Sequence, residues 1–253
     1  MREYSTNLTD YQWSTILRLF GVNRKRLHSL RTIWNALFYL LKTGCHWRMM
    51  PAHFPKWQLV YYYFAKWRDE GLFDELNDIL RKMVRNKRGK RTSPSLGLID
   101  SQSVKTTRRG GDHRGVDGGK KIKGRKRHII VDTLGLLLSV KVHAANEHDS
   151  QKAMEVIDNM NYRFDEMRAI CADGGYRGKL SEQVKQKYGW DLQIVMRSDD
   201  MRAFAVLPKR WIVERTFSWF ENFRRLSKDY EYTVNSSEAM IVLASIAIMM
   251  NKI

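Results

Sequence analysis

LGLIDSQSV (residues 96–104) decides how this chain is read, because it is an apolar, strand-like run broken by one acid, Asp100. Ile, Leu and Val at this density suit a strand covered on both faces. A carboxylate inside such a strand is costly unless an Arg or Lys, several N–H donors or a metal ion compensates it. The construction returns in RAICAD (168–173), where Asp173 closes a second apolar run just before Gly174 and Gly175. Carboxylates at strand ends converge readily, so these two acids are the first candidates for a shared site.

Three further runs rich in Ile, Leu and Val read as strands: HIIVDT (128–133), LLLSVKVHA (136–144) and LQIVM (192–196). Thr133-Leu134-Gly135 is short enough for a hairpin, so the strands on either side of it should be antiparallel neighbours. Helices are expected from Asp149 to about Asn161, over 179–188, and from Lys209 to about Ser227. The order β-β-β-α-β-α-β-α makes an α/β fold with a mixed five-stranded sheet flanked by helices. The apolar run Ala239 to Met250 is too short to span a bilayer and reads as a buried helix.

On the N-terminal side the period changes to that of helices. Leu8-Thr9-Asp10-Tyr11-Gln12-Trp13 has the form of a capping box with a hydrophobic staple, followed by Trp13, Ile16, Leu17 and Phe20 on one face. Leu30, Ile33, Trp34, Leu37 and Leu41 repeat that spacing, with Gly44 placed as a C-terminal cap. Trp57 to about Asp69 and a segment marked by Leu76, Ile79, Leu80 and Met83 give a third and a fourth helix. The basic, Gly- and Pro-containing stretch NKRGKRTSPS (86–95) has no apolar face. The chain therefore divides into a helical domain (1–86), a linker (87–95) and an α/β domain with a C-terminal helix (96–253).

The formal charge of +18, from 45 Lys and Arg against 27 Asp and Glu, calls for a polyanionic partner, and nucleic acid leads. A membrane surface would want a basic amphipathic helix or a lipidation signal, and neither is present. Met1-Arg2-Glu3-Tyr4 lacks the apolar stretch of a signal peptide. Cys45 and Cys171 make no disulfide framework, which fits a reducing compartment, with the cytoplasm as the simplest address. GGKK (118–121) has the wrong spacing for a P-loop, so no nucleotide cofactor is expected. Cys45, His46 and His53 lack the paired spacing of a zinc site, and His143 and His148 read as a strand end and a helix approach.

The positive charge concentrates between Lys105 and His128, where Lys105, Lys120, Lys121, Lys123, Arg125, Lys126 and Arg127 read as a Gly-punctuated arm that could grip a phosphate backbone and order on binding it. Arg24, Lys25, Arg26 and Arg31, with Lys56 and Lys66, suggest a helix-turn-helix-like reader in the N-terminal domain. Trp34, Trp57, Tyr61, Tyr62 and Trp67 are expected in its core. A third acid, Glu214, lies on the helix of RWIVERTF (210–217), with Arg210 one turn before it on the same face. Two strand acids and one helix acid offer only oxygen ligands, which suits Mg²⁺ better than a nitrogen- and sulfur-seeking metal.

At these residues the chain resembles the DDE transposases of bacterial insertion sequences, most closely the IS-five group. The resemblance runs through LTDYQW (8–13), GCHWRMMPAHFPKWQLVYYYFAKWRDEGLF (44–73), LIDSQSVK (98–105), GGKKIKGRKRHIIVDTLGLLL (118–138), ADGGYRG (172–178) and RWIVERTFSWFENFRRLSKDYE (210–231), in the family's order. It implies an RNase H-like catalytic domain with Asp100, Asp173 and Glu214 as both catalytic triad and metal ligands. It also implies two Mg²⁺ ions, with Mn²⁺ as a substitute, and double-stranded DNA partners: terminal inverted repeats and target. The expected activity is end cleavage and strand transfer by a homodimer on DNA, near the bacterial nucleoid. Of the broader Tyr-x2-Arg-x3-Glu-x6-Lys signature the chain keeps Arg210 and Glu214, while Leu207 and Glu221 stand at the other places. DNA contacts are therefore assigned to Arg210 and Arg215 beside the arm.

Overall fold

The computed structural model describes residues 4–20, 27–160, 163–195 and 211–253. Helix α1 (Asp10–Leu17) starts at Thr9, whose hydroxyl accepts from Gln12 N while the Gln12 side chain accepts from Thr9 N, as the capping box requires. Helix α2 (Leu30–Thr43) ends at Gly44, which takes the left-handed conformation (φ 68°). Helices α3 (Trp57–Asp69) and α4 (Leu72–Lys87) follow. Residues 44–56 separate α2 from α3, whereas only Glu70 and Gly71 separate α3 from α4. Trp34 and Trp67 are buried and stacked, with ring centroids 5.0 Å apart. Tyr61 and Tyr62 face solvent instead, a departure from the expected core.

The sheet is built on β1 (Leu96–Lys105), β3 (Ile122–Val131), β4 (Leu137–Ala144), β5 (Ala169–Asp173) and β6 (Asp191–Val195). A sixth, short strand, β2 (Gly115–Asp117), lies in the region read as an arm and pairs with the start of β3. The long strands lie in the order β4-β3-β1-β5-β6. β3 is antiparallel to both neighbours, whereas β1, β5 and β6 are parallel. This is the RNase H-like arrangement. The β3–β4 hairpin closes through Asp132, whose carboxylate accepts from Leu134 N and Leu136 N, with Gly135 at φ 81°.

Alternation along the strands builds two cores. Leu98, Ile129, Val131 and Leu137 face helix α7 (Trp211–Glu221) and helix α8 (Val234–Met250), in one apolar cluster with α1 to α4. Ile99, Ile130, Leu138 and Ile170 face helix α5 (Asp149–Asp158) and helix α6 (Leu180–Tyr188). Helix α8 is buried on nearly all sides and packs on α2, α4, α7 and β4. The four N-terminal helices thus share their core with one face of the sheet. Arg85 of α4 reinforces that union by pairing with the fully buried Asp132 at 2.5 Å. Among the described residues no helix is long and apolar enough to cross a membrane.

Candidate active site

Strand register brings the two aspartates together. β1 and β5 pair in parallel as Leu96 with Ala169, Gly97 with Ile170 and Leu98 with Cys171. Carried two residues further, the same register sets Asp100 level with Asp173. Side chains two apart share a face, so both acids follow Leu98 and Cys171 towards the α7 side. Adjacent strands lie about 4.8 Å apart where they pair. Asp173 is the last residue of β5 and caps the 3-10 turn Gly174–Tyr176, accepting from Gly175 N at 2.8 Å.

Helix α7 packs across β1 and β3 on this face and carries Glu214 in its first turn. The neighbours Ile212, Val213 and Phe217 are buried while Glu214 is exposed, so the helix turns its carboxylate away from the core. A second tie fixes the helix lengthwise: Gln102 Nε2 donates to Glu221 Oε1 at 3.2 Å, two residues along β1 from Asp100 and seven along α7 from Glu214. Burial pushes the Asp100 carboxyl up to about 6, opposed by the hydrogen bond from Ser101 N and by Lys120, and reinforced by the charges of Asp173 and Glu214. Both other acids therefore act electrostatically on Asp100. Such a set offers only hard oxygen donors, and a divalent cation would offset the burial, and with it the like charges, that raise Asp100.

The basic residues separate into two groups. Lys105, Lys120, Lys121 and Lys123 are exposed, and the charge of Lys120 reaches Asp100. Asp117 holds that segment by accepting from Lys120 N and from the Ser103 hydroxyl. Arg125, Lys126 and Arg127 are not on an exposed arm, which corrects that placement: they belong to β3 and are buried. Arg125 binds Asp112, Asp229, Glu231 O and Tyr232 O. Lys126 pairs with Asp149 at 2.9 Å, and Arg127 donates to Leu226 O and Lys228 O. A buried guanidinium needs such partners, and the loops 112 and 226–232 supply them. Arg215 is half-buried, lies over Trp211 and Trp219, and donates to Leu134 O. Arg210 and the basic residues 24–26 lie outside the described residues.

The reverse face holds a group that sequence spacing does not reveal. His128 of β3 sits opposite Ser101 of β1, with Tyr176 Oη 2.8 Å from its Nε2 and His143 Nε2 3.4 Å from its Nδ1. His143 is paired with His128 here rather than with His148. Tyr176 stands three residues after Asp173 in the motif ADGGYRG, which was the available signal. Two strand histidines that meet only through β3–β4 pairing gave none.

Residues 91–250 match the family model described as transposase DDE domain. Residues 8–77 match a second model, for transposases of the IS4/5 family. A Burkholderia cepacia protein named as a transposase for insertion sequence element IS402 is 27% identical over 135 residues, which are 51% of this chain and 64% of the relative. The chain thus spans less than two thirds of that relative's length. A solved Mos1 strand transfer complex is similar at 10% identity over 92% of this chain and 77% of that one, with a TM-score of 0.31. A Mos1 transposase paired-end complex with the left transposon end gives 10% identity, 85% and 82% coverage and a TM-score of 0.26.

Proposed function

The chain belongs to the transposase DDE-domain family, and from that premise we propose that it cuts phosphodiester bonds at the ends of an insertion sequence and joins the freed ends to target DNA. The reading is supported above all by the β1–β5 register, which extended by two residues sets Asp100 level with Asp173 on one face, and by the charges of Asp173 and of Glu214 on α7 that reach Asp100. In it, Asp100, Asp173 and Glu214 hold two divalent cations, Mg²⁺ or Mn²⁺. When bound, such a pair activates the attacking oxygen and stabilises the leaving one in displacement at phosphorus. The protein's own part is to orient and to screen. Two parallel strands and one helix fix the acids, while Lys120, with Lys105, Lys121 and Lys123 nearby in sequence, offsets phosphate charge at the entrance. The N-terminal helices are assigned to recognition of the terminal inverted repeats. Transposition joins two ends, so the working form on DNA is a homodimer.

The test is cleavage of a labelled duplex carrying the repeats that flank the gene, with Mg²⁺ or EDTA, using wild type, Asp100→Asn, Asp173→Asn and Glu214→Gln. Retained DNA binding with nicking lost in all three variants and in EDTA supports the assignment. Cutting that survives any of the substitutions removes that residue from the site. Binding without cleavage under every condition makes the protein a repressor or architectural binder, and cut ends that never join target make it a nuclease.

A further inference from the structure

Three residues beyond Asp173 the chain crosses from the acidic face of the sheet to the other. Tyr176 is 1% exposed, and its hydroxyl meets a nitrogen of the fully buried His128. A chain of contacts continues from there: His128 Nδ1 to His143 Nε2 at 3.4 Å, then His143 Nδ1 to Ala144 O at 3.1 Å. The last contact fixes the direction of all the others. A carbonyl oxygen can only accept, so His143 carries its proton on Nδ1 and leaves Nε2 as an acceptor. His128 must then donate through Nδ1–H, and its Nε2 accepts from the Tyr176 hydroxyl. Burial favours the neutral forms this needs, holding His128 down to about 3 and the Tyr176 phenol well above its ordinary value.

The chain spans both acidic strands. His128 pairs with Ser101, the neighbour of Asp100 on β1, and Tyr176 ends the 3-10 turn that Asp173 caps. Asp149 also lies close, its ligand atom within 4.8 Å of those of both histidines. Lys126 already pairs with that carboxylate, and each imidazole nitrogen already has a partner, so an ion is not needed to explain the cluster. We infer that Tyr176 and His128 are positioning residues, a hydrogen-bonded strut that locks the Asp173 turn to the Asp100 strand so that both aspartates meet a cation as one preformed site. This rests on the metal-binding reading above.

Manganese binding to the full-length protein without DNA, measured by calorimetry, tests the strut, alongside nicking as a function of Mn²⁺ concentration. Tyr176→Phe keeps the ring and removes only the hydroxyl. The Mn²⁺ midpoint should rise about five- to tenfold in both measurements, the size of one hydrogen bond, with the rate at saturating Mn²⁺ within about twofold of wild type. A variant that melts earlier but keeps the wild-type midpoint overturns the proposal, because the hydroxyl would then serve stability alone. Asp173→Asn run in parallel separates the two failures: if it binds Mn²⁺ like wild type, the metal reading falls and the strut with it; if only Tyr176→Phe binds normally, the strut alone falls. Nitrogen-15 spectra of the wild-type imidazoles give an answer that needs no variant. An Nδ1–H tautomer at His128 supports the chain, whereas an Nε2–H tautomer, or a tightly held zinc ion, overturns it.

Discussion

Asp100 should make the metal-free protein weaker as pH rises, and the effect can be sized. Burial first, then the charges of Asp173 and Glu214, raise its carboxyl from the ordinary 3.8 to about 6. Between those values the folded state binds more protons than the unfolded state, so stability falls as pH increases through that window. At about 1.36 kcal/mol per unit, the ionised carboxylate costs on the order of 2–3 kcal/mol above pH 6 and almost nothing below about 3.8. Other buried acids, Glu231 and Glu238 among them, are shifted the same way and set a common background. The informative quantity is therefore the difference between wild type and Asp100→Asn in urea unfolding with EDTA. That difference should favour the variant by about 2 kcal/mol more at pH 7 than at pH 4.5. Mn²⁺ should then stabilise wild type and not the variant. A difference that is flat with pH would refute the argument that Asp100 is held ionised against its surroundings.

Asp132→Ala strands the buried Arg85 guanidinium and two turn N–H groups, and should cost about 3–5 kcal/mol in urea unfolding. The double variant Arg85→Met with Asp132→Leu should regain most of that stability, a recovery that simple additivity would not give. Replacing exposed Lys120, Lys121 and Lys123 by Ala should lower the salt slope of DNA binding by up to about 0.9 for each phosphate that is no longer neutralised. Arg127→Met should leave that slope unchanged and show only as reduced stability, because its guanidinium is spent on Leu226 O and Lys228 O. Thr9→Ala should cost about 1 kcal/mol of thermal stability by removing the cap on α1.

What was legible in the sequence was whatever is coded locally. The capping box at Thr9, the helix stop at Gly44, the β3–β4 hairpin and the acids ending apolar runs all declare themselves within a few residues. The start of β3 did not. KGRKR (123–127) has no hydrophobic period, and it becomes strand because Asp112, Asp229 and the carbonyls of 226–232 receive its arginines. Those partners are up to about a hundred positions away, beyond what spacing can reveal. The shared core was hidden for the same reason: an amphipathic face shows that a helix has a partner, not that the partner is α8. The site fell between these cases. Asp100 and Asp173 were visible as anomalies in their strands, but the level they share depends on β1–β5 register, and Tyr176 reaches His128 only through the folded sheet.

The burial of α8 has a consequence for the order in which the protein can mature. Helices α1 to α4 leave the ribosome long before α8, the element against which α2 and α4 pack. Until it arrives the parts of α2 and α4 that meet α8 have no cover, and the hydrogen bonds from Gln12 to Met250 O and from Lys87 to Ile253 O cannot form. A nascent chain stalled anywhere before residue 234 therefore lacks the element that closes the core shared by the helical layer and the sheet. The core beneath the positively charged helices is thus closed only after the strands and the helix that carry Asp100, Asp173 and Glu214 have all been made, so translation completes the acidic face first and seals the helical layer onto it last.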